Sequence, residues 1–237
     1  MANSGASNGN YSQIKRRRRL PLELQCEVFG ALPFHYGRQM LLLCRPIATN
    51  CVALVRKQKK MFENRWDSVA LHEDLTLSKP DGLIVQLIVD GCRSVHAERP
   101  FQKNTFGIFY YEVTILEQGI NVLIGIATKQ MPLQLWVGWD KGTYAYTSNG
   151  LLLGHEAEHL HIERRPKFGV DDVIGCGVDL ATRQIIYTKN GQRLETDGLH
   201  VDFGADLFPC VTLFHAGTKI EANFGPNFKF NIAADGT

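Results

Sequence analysis

The chain has 237 residues, 44% of them hydrophobic and 21% charged, enough for one sizeable buried core plus a small accessory unit. Its net charge of +2 conceals an asymmetry: residues 1–65 hold 12 Lys/Arg and 3 Asp/Glu, and residues 66–237 hold 14 and 21, giving +9 and −7. An acidic body repels a phosphate backbone, which argues against nucleic acid as its ligand. With no apolar run of about 18 residues, neither a transmembrane helix nor a membrane partner is expected.

Residues 1–19 read as a tail. The opening MANSGASNGNYSQ is Ser/Asn/Gly-rich and too polar to pack, and it lacks the apolar region of a secretory signal. Residues 15–19, KRRRR, have three readings, a nuclear import signal, a contact with an acidic partner or a solvated basic flank. A cytoplasmic or nuclear location is expected. The six cysteines, Cys26, Cys44, Cys51, Cys92, Cys176 and Cys210, show no CxxC spacing and sit mostly in apolar runs. They are expected as free, buried thiols.

Residues 20–65 take a helical pattern. Leu20, Leu24, Val28 and Leu32 recur every fourth position, Phe29 widens the stripe, and Pro21 suits a first helical turn. Leu32-Pro33 should end this helix. A second follows through Met40, Leu41, Leu43 and Cys44 to Arg45-Pro46, and a third carries Ile47, Cys51, Val52, Leu54 and Val55. So much apolar surface on so little chain needs cover, either from a partner or from the rest of the protein.

From Trp66 to residue 230 the period drops to two, and residues 231–237 form a short tail. GLIVQLIV (82–89) reads as a buried strand followed by an Asp90-Gly91 turn. In IFYYEVTIL, Phe109, Tyr111, Val113 and Ile115 share one face, and Tyr110, Glu112 and Thr114 the other. NVLIGIAT, GTYAYT, DVIGCGVDL, QIIYT, PCVTLF and KIEANF add enough strands for two packed antiparallel sheets. The Asn190-Gly191 pair can adopt the positive φ angles of a two-residue hairpin turn.

No segment points clearly to an enzyme. His155-Glu156-Ala157-Glu158-His159 matches H-E-x-x-H, but zinc-protease chemistry needs a helix to bring both imidazoles to one face. The stretch lies between predicted strands, so a zinc hydrolase is the least favoured reading and a polar connection the better one. There is no G-x-S-x-G elbow or P-loop, and the GCG at 175–177 sits inside a strand pattern. No cofactor is expected.

FGIFYYEVTI, LIGIAT, FGVDDVIGCGVDL, QIIYTKNG and LFPCVTLFHAGTKIEANFG occur in an order that resembles the SPRY domain. The resemblance implies a mainly β fold, an antiparallel sandwich that binds other proteins or short peptides through its loops. The positions matching those loops are Arg99 and Pro100 in AERPF, Pro132, Trp136 and Trp139 in MPLQLWVGW, Tyr144 and Tyr146 in TYAY, and His215 in LFHAG. Many relatives carry Ser-Trp-Gly-Tyr/Trp where this chain has Thr-Tyr-Ala-Tyr, which leaves the ligand open. Residues 66–230 are similar to the Ran-binding-protein-M-like SPRY proteins of plant-parasitic cyst nematodes. Many of those are secreted effectors, which would apply here only to a form whose signal peptide has been removed. LPLELQCEVFGALPF…LLLCRPIATNCVALV also resembles an F-box, with Ile47 where an aromatic is usual. It implies that Leu20, Pro21, Leu24, Val28, Phe29, Leu32 and Pro33 dock to the Skp adaptor of a cullin ubiquitin ligase.

Overall fold

The computed structural model describes residues 64–101, 107–119, 121–156, 159–196, 198–202 and 204–232. The helices expected within 20–65, with Leu20, Pro21, Leu24, Val28, Phe29, Leu32 and Pro33, fall before residue 64 and lie outside the described residues. Among the described residues, no helix is long and apolar enough to cross a membrane.

Thirteen strands are formed by the described residues: β1 (Leu75–Leu77), β2 (Ile84–Leu87), β3 (Arg93–His96), β4 (Ile108–Glu117), β5 (Val122–Thr128), β6 (Tyr144–Thr147), β7 (Leu151–Glu156), β8 (His159–Arg164), β9 (Val173–Asp179), β10 (Ile185–Lys189), β11 (Gln192–Arg193), β12 (Leu207–Leu213) and β13 (Lys219–Asn223). They make a seven-stranded sheet, β1-β2-β13-β4-β9-β10-β11, and a six-stranded sheet, β3-β12-β5-β6-β7-β8. Every neighbouring pair is antiparallel. The mainly β architecture of two packed antiparallel sheets is what the alternation in the sequence predicts.

Residues from both sheets share one core. Tyr111, Val113 and Ile115 of β4 meet Val122, Ile124 and Ile126 of β5 there, with Val211 and Leu213 of β12. Each fully buried side chain of this kind stabilises the fold by about 1.5–3 kcal/mol. Trp66 is fully buried, donates its indole N–H to the Leu83 carbonyl at 2.9 Å and meets Tyr111 and Phe224 edge-on. Asn190 and Gly191 have φ of 54° and 81° and join β10 to β11 in a two-residue turn. Only side chains of one face per strand reach this core, so the two outer faces of the sandwich need other cover.

Two irregular segments provide it. Residues 129–143 lie over the outer face of the six-stranded sheet, where Met131 and Val137 bury against Leu123, Ala127, Ala145 and Cys210. The C-terminal segment crosses the outer face of the seven-stranded sheet. There the buried Glu112 carboxylate accepts the N–H groups of Lys229 at 2.9 Å and Phe230 at 3.0 Å, and the Tyr110 hydroxyl at 3.2 Å.

Two expectations need correction. The strand expected over 82–89 ends at Leu87, because the Leu87 amide and carbonyl are both taken by the turn at Gly217 and Thr218. Ile88 and Val89 beyond it are exposed. The H-E-x-x-H segment is a β-hairpin: His155 pairs with Leu160 and Glu156 with His159. Strand backbone thus stands at residues 155 and 159 in place of the helix on which an H-E-x-x-H zinc site is built.

Candidate partner-binding surface

The segment between β5 and β6 is held at many points along its path. At its start the Lys129 ammonium pairs with Asp67 at 2.6 Å and lies 4.9 Å from the Phe208 ring centroid. Burial opposes ionisation of Asp67, but Lys129 and the N–H groups of Ala70 and Val69 outweigh it and hold the carboxyl below its ordinary value. Next the Leu133 carbonyl accepts the Ser94 N–H at 2.7 Å, and the Leu135 carbonyl accepts the Ser94 hydroxyl at 2.6 Å. The Val137 N–H donates to Thr212 Oγ1 at 3.0 Å, and the Gly138 N–H to Thr143 Oγ1 at 2.9 Å. The backbone is thus satisfied by the strands beneath, and Met131 and Val137 act as plugs.

This anchoring fixes the two indoles differently. Trp136 is half-buried, with its ring 5.7 Å from Phe214 and 5.3 Å from Trp139. Trp139 lies outermost and is 54% exposed, and Leu135 beside them is 38% exposed. Phe214 leads into the turn after β12, where its carbonyl accepts the Gly91 N–H at 3.0 Å. His215 Nδ1 is 2.9 Å from Asp90 Oδ1, which also accepts the Ala216 N–H at 2.7 Å. His215 rests directly on Gly119: a Cβ there would lie 2.2–2.5 Å from its Cβ, Cγ and Cδ2 atoms. The nearby Arg93 guanidinium is bound to Asp74 at 2.7 Å, so among the described groups Asp90 is served by His215 and the Ala216 N–H.

Of the positions expected to bind a partner, Trp136 and Trp139 come together, with His215 one residue beyond their neighbour Phe214 and exposed Pro132 on the same segment. Arg99 and Pro100 are elsewhere. Asn64 brackets Arg99 through its N–H and carbonyl, both at 3.1 Å, and Phe101, which follows Pro100, donates its N–H to the Leu207 carbonyl. Leu207 pairs with Thr128, whereas Leu213, before Phe214, pairs with Val122, so the two groups occupy opposite ends of the six-stranded sheet.

Tyr144 and Tyr146 are a correction: they are 2% and 0% exposed, inside the sandwich, and cannot touch a partner. Ring contacts with Phe168 and Tyr187 and a hydroxyl donated to the Pro166 carbonyl hold Tyr146 there. Burial, with the Asp172 charge, pushes its phenol up to about 12. Sequence reasoning missed Asp90, Gly119, Leu135 and Phe214. Asp90-Gly91 signalled a turn, which concealed that its carboxylate tethers the turn after β12. Phe214 read as the end of a core strand.

The sequence matches the SPRY domain family over residues 108–227. It is 37% identical over 131 residues to Ran-binding protein 9 of Xenopus tropicalis, covering 53% of this chain and 23% of that protein. Human Ran-binding protein 9 is 34% identical over 144 residues, 59% of this chain and 19% of that one. The Dictyostelium discoideum dual specificity protein kinase splA is 32% identical over 148 residues, 60% and 6% of the respective chains. The chain therefore spans less than a quarter of these relatives. Among solved structures, a human SPRY domain superposes with TM-score 0.54 at 22% identity, covering 66% of this chain and 98% of that one. The SPRY domain of human HERC1 gives 0.53 at 20%, covering 67% and 96%. These structures support the fold alone. A thirteen-stranded sandwich with this sequence match makes the chain a member of the SPRY family, a family of protein–protein interaction modules.

Proposed function

We propose that this protein is a binding adaptor whose SPRY domain grips a partner protein or peptide through the aromatic surface of residues 132–139 and 214–215. The observation that carries this reading is Trp139. Its ring is half open to solvent on a segment whose backbone and plugs are fixed. An exposed indole on a rigid support loses little conformational freedom on binding, the usual property of an interface anchor. Trp139→Ala is expected to weaken partner capture by about tenfold or more while the melting temperature stays close to that of the parent. Partner capture that survives both Trp139→Ala and Trp136→Ala would place the interface elsewhere, with Arg99 and Pro100 at the opposite end the next surface to test.

The F-box-like order of residues 20–55 supports a further role as the substrate receptor of a cullin ubiquitin ligase, the segment holding the Skp adaptor while the SPRY domain holds the substrate. The alternative is a SPRY effector that binds a host protein without ubiquitin transfer. Co-purification with the Skp adaptor, lost on replacing Val28 and Phe29 by Asp, supports the receptor. No co-purification with the unmutated chain supports the effector.

A further inference from the structure

The aromatic surface ends beside an exposed carboxylate, and we propose that its occupant is a cationic–apolar segment of a partner protein, with Arg or Lys side chains engaging Trp139 and Asp90. This rests on the binding role proposed above for the same surface.

Three observations point to that chemistry. The first is the open indole of Trp139. The negative face of an indole attracts a guanidinium or ammonium within about 6 Å of its centroid, and Trp does so best among the aromatic residues. Its neighbours Leu135, Trp136 and Phe214 supply apolar area for an adjoining aliphatic or aromatic side chain.

The second is Asp90. Its side chain is 69% exposed, yet the Ala216 N–H and His215 hold it in one place. Arg93, the cation closest in sequence, is engaged by Asp74. The Gly91–Phe214 hydrogen bond ties this carboxylate to the base of the aromatic row. The path from Trp139 through Trp136 and Phe214 to Asp90 is no longer than about eight residues of extended peptide, at ~3.3 Å each. One short segment can reach both ends.

The third is charge. Residues 66–237 carry −7. An acidic body draws in a basic segment and repels an acidic one, mainly through the association rate. At physiological salt the screening length is about 8 Å, so Asp90 is the charge that acts at close range.

The test is to pan a phage-displayed library of random 12-residue peptides on the full chain and to titrate the recovered peptides, made synthetically. Recovered sequences are expected to carry Arg or Lys next to an aliphatic or aromatic residue. Their affinity should fall about tenfold or more with Trp139→Ala and about two- to fivefold with Asp90→Asn, which keeps the acceptor oxygen for Ala216. Asp90→Lys should reverse the preference, so that a peptide with Glu in place of its basic residue binds better than the original. Peptides that depend on Trp139 but lack basic residues, or ignore Asp90→Asn and Asp90→Lys, overturn the cationic occupant and leave the binding role standing. Selection that yields no Trp139-dependent peptide overturns both, as does a Trp139-dependent dimer of the chain itself in sedimentation.

Discussion

The segment that carries the two indoles begins beside a buried histidine, and pH is the perturbation that probes it. His96 is 2% exposed on β3, beside the Thr128 backbone, and its Nε2 has no hydrogen-bond partner. Burial first, then the nearby Lys129 charge, bring its pKa from 6.5 down to about 4, against weaker opposing effects of the Thr128 bond and Asp67. The folded protein therefore keeps this imidazole neutral where the unfolded chain would protonate it. Stability contributed by the neutral ring is fully present above pH 6.5 and is lost as pH falls from 6.5 toward 4, because the unfolded state binds the extra proton. Going from pH 7.5 to 4.5, the loss from this one group comes to about 2–3 kcal/mol. Asp67, whose carboxyl is held below its ordinary 3.8, adds its own loss only at lower pH. Urea denaturation of the parent and of His96→Gln, which puts a polar side chain that does not titrate at this site, isolates the term. The parent's unfolding free energy should drop by about 2–3 kcal/mol more than the variant's over that range. Parallel pH profiles for the two proteins would refute the argument and mean that the imidazole is solvated or ionised in the fold.

Glu112→Gln replaces one carboxylate oxygen by a donor beneath the C-terminal segment, leaving the Lys229 or Phe230 N–H without an acceptor. A cost of about 1–3 kcal/mol in urea is expected, with faster amide exchange at Lys229 and Phe230. Gly119→Ala places a methyl group against the His215 ring. It should displace the Asp90–His215 turn and weaken peptide binding about as much as Asp90→Asn, read by titration of a selected peptide. Trp136→Ala, unlike Trp139→Ala, removes packing on Phe214 and should lower the melting temperature by a few degrees, about 1 kcal/mol, as well as binding.

The strands whose two faces differ in residue type, one apolar toward the core and one more polar toward a covering segment, were the easiest to recognise. In β4 the alternation of Tyr111, Val113 and Ile115 with Tyr110, Glu112 and Thr114 is a direct imprint of one face on the core, and the sheet follows it. β6 was harder, because all four of its residues are buried. Ala145 is covered from outside by Val137 and its neighbours, while Tyr144 and Tyr146 point into the sandwich. Nothing in TYAY says which way the rings point until residues 129–143 are known to cover the other side. Arg99 and Pro100 fail for a topological reason. In an antiparallel sheet successive turns fall at alternate ends, and which turns share an end depends on strand order. The β3-β12-β5 order that separates Arg99 from His215 comes from pairings between segments far apart in the chain, such as Leu207 with Thr128 and Cys210 with His96. Trp136 and Trp139 were legible as a pair because their separation is local.

The two outer faces of the sandwich solve the same problem in different ways, and the difference bears on function. Over the seven-stranded sheet the covering segment turns its aromatic rings inward: Phe228 and Phe230 meet Tyr110, and Phe230 is 7% exposed. Over the six-stranded sheet, Met131 and Val137 already fill the space against Leu123, Ala127 and Cys210, so the fold does not require a large ring at position 139. Trp139 nevertheless stands there with roughly half of its surface, on the order of 100 Å², in water. Covering that area would release about 2–3 kcal/mol at 25 cal/mol per Å², a yield that folding leaves uncollected and that a partner can collect. A Lys or Gln at this position would keep the segment anchored by Ser94, Thr212 and Thr143 and would remove the exposed ring. The anchoring groups hold residues 129–143 without the exposed indole, and that surplus exposure is the ground on which Trp139 is proposed as a binding anchor.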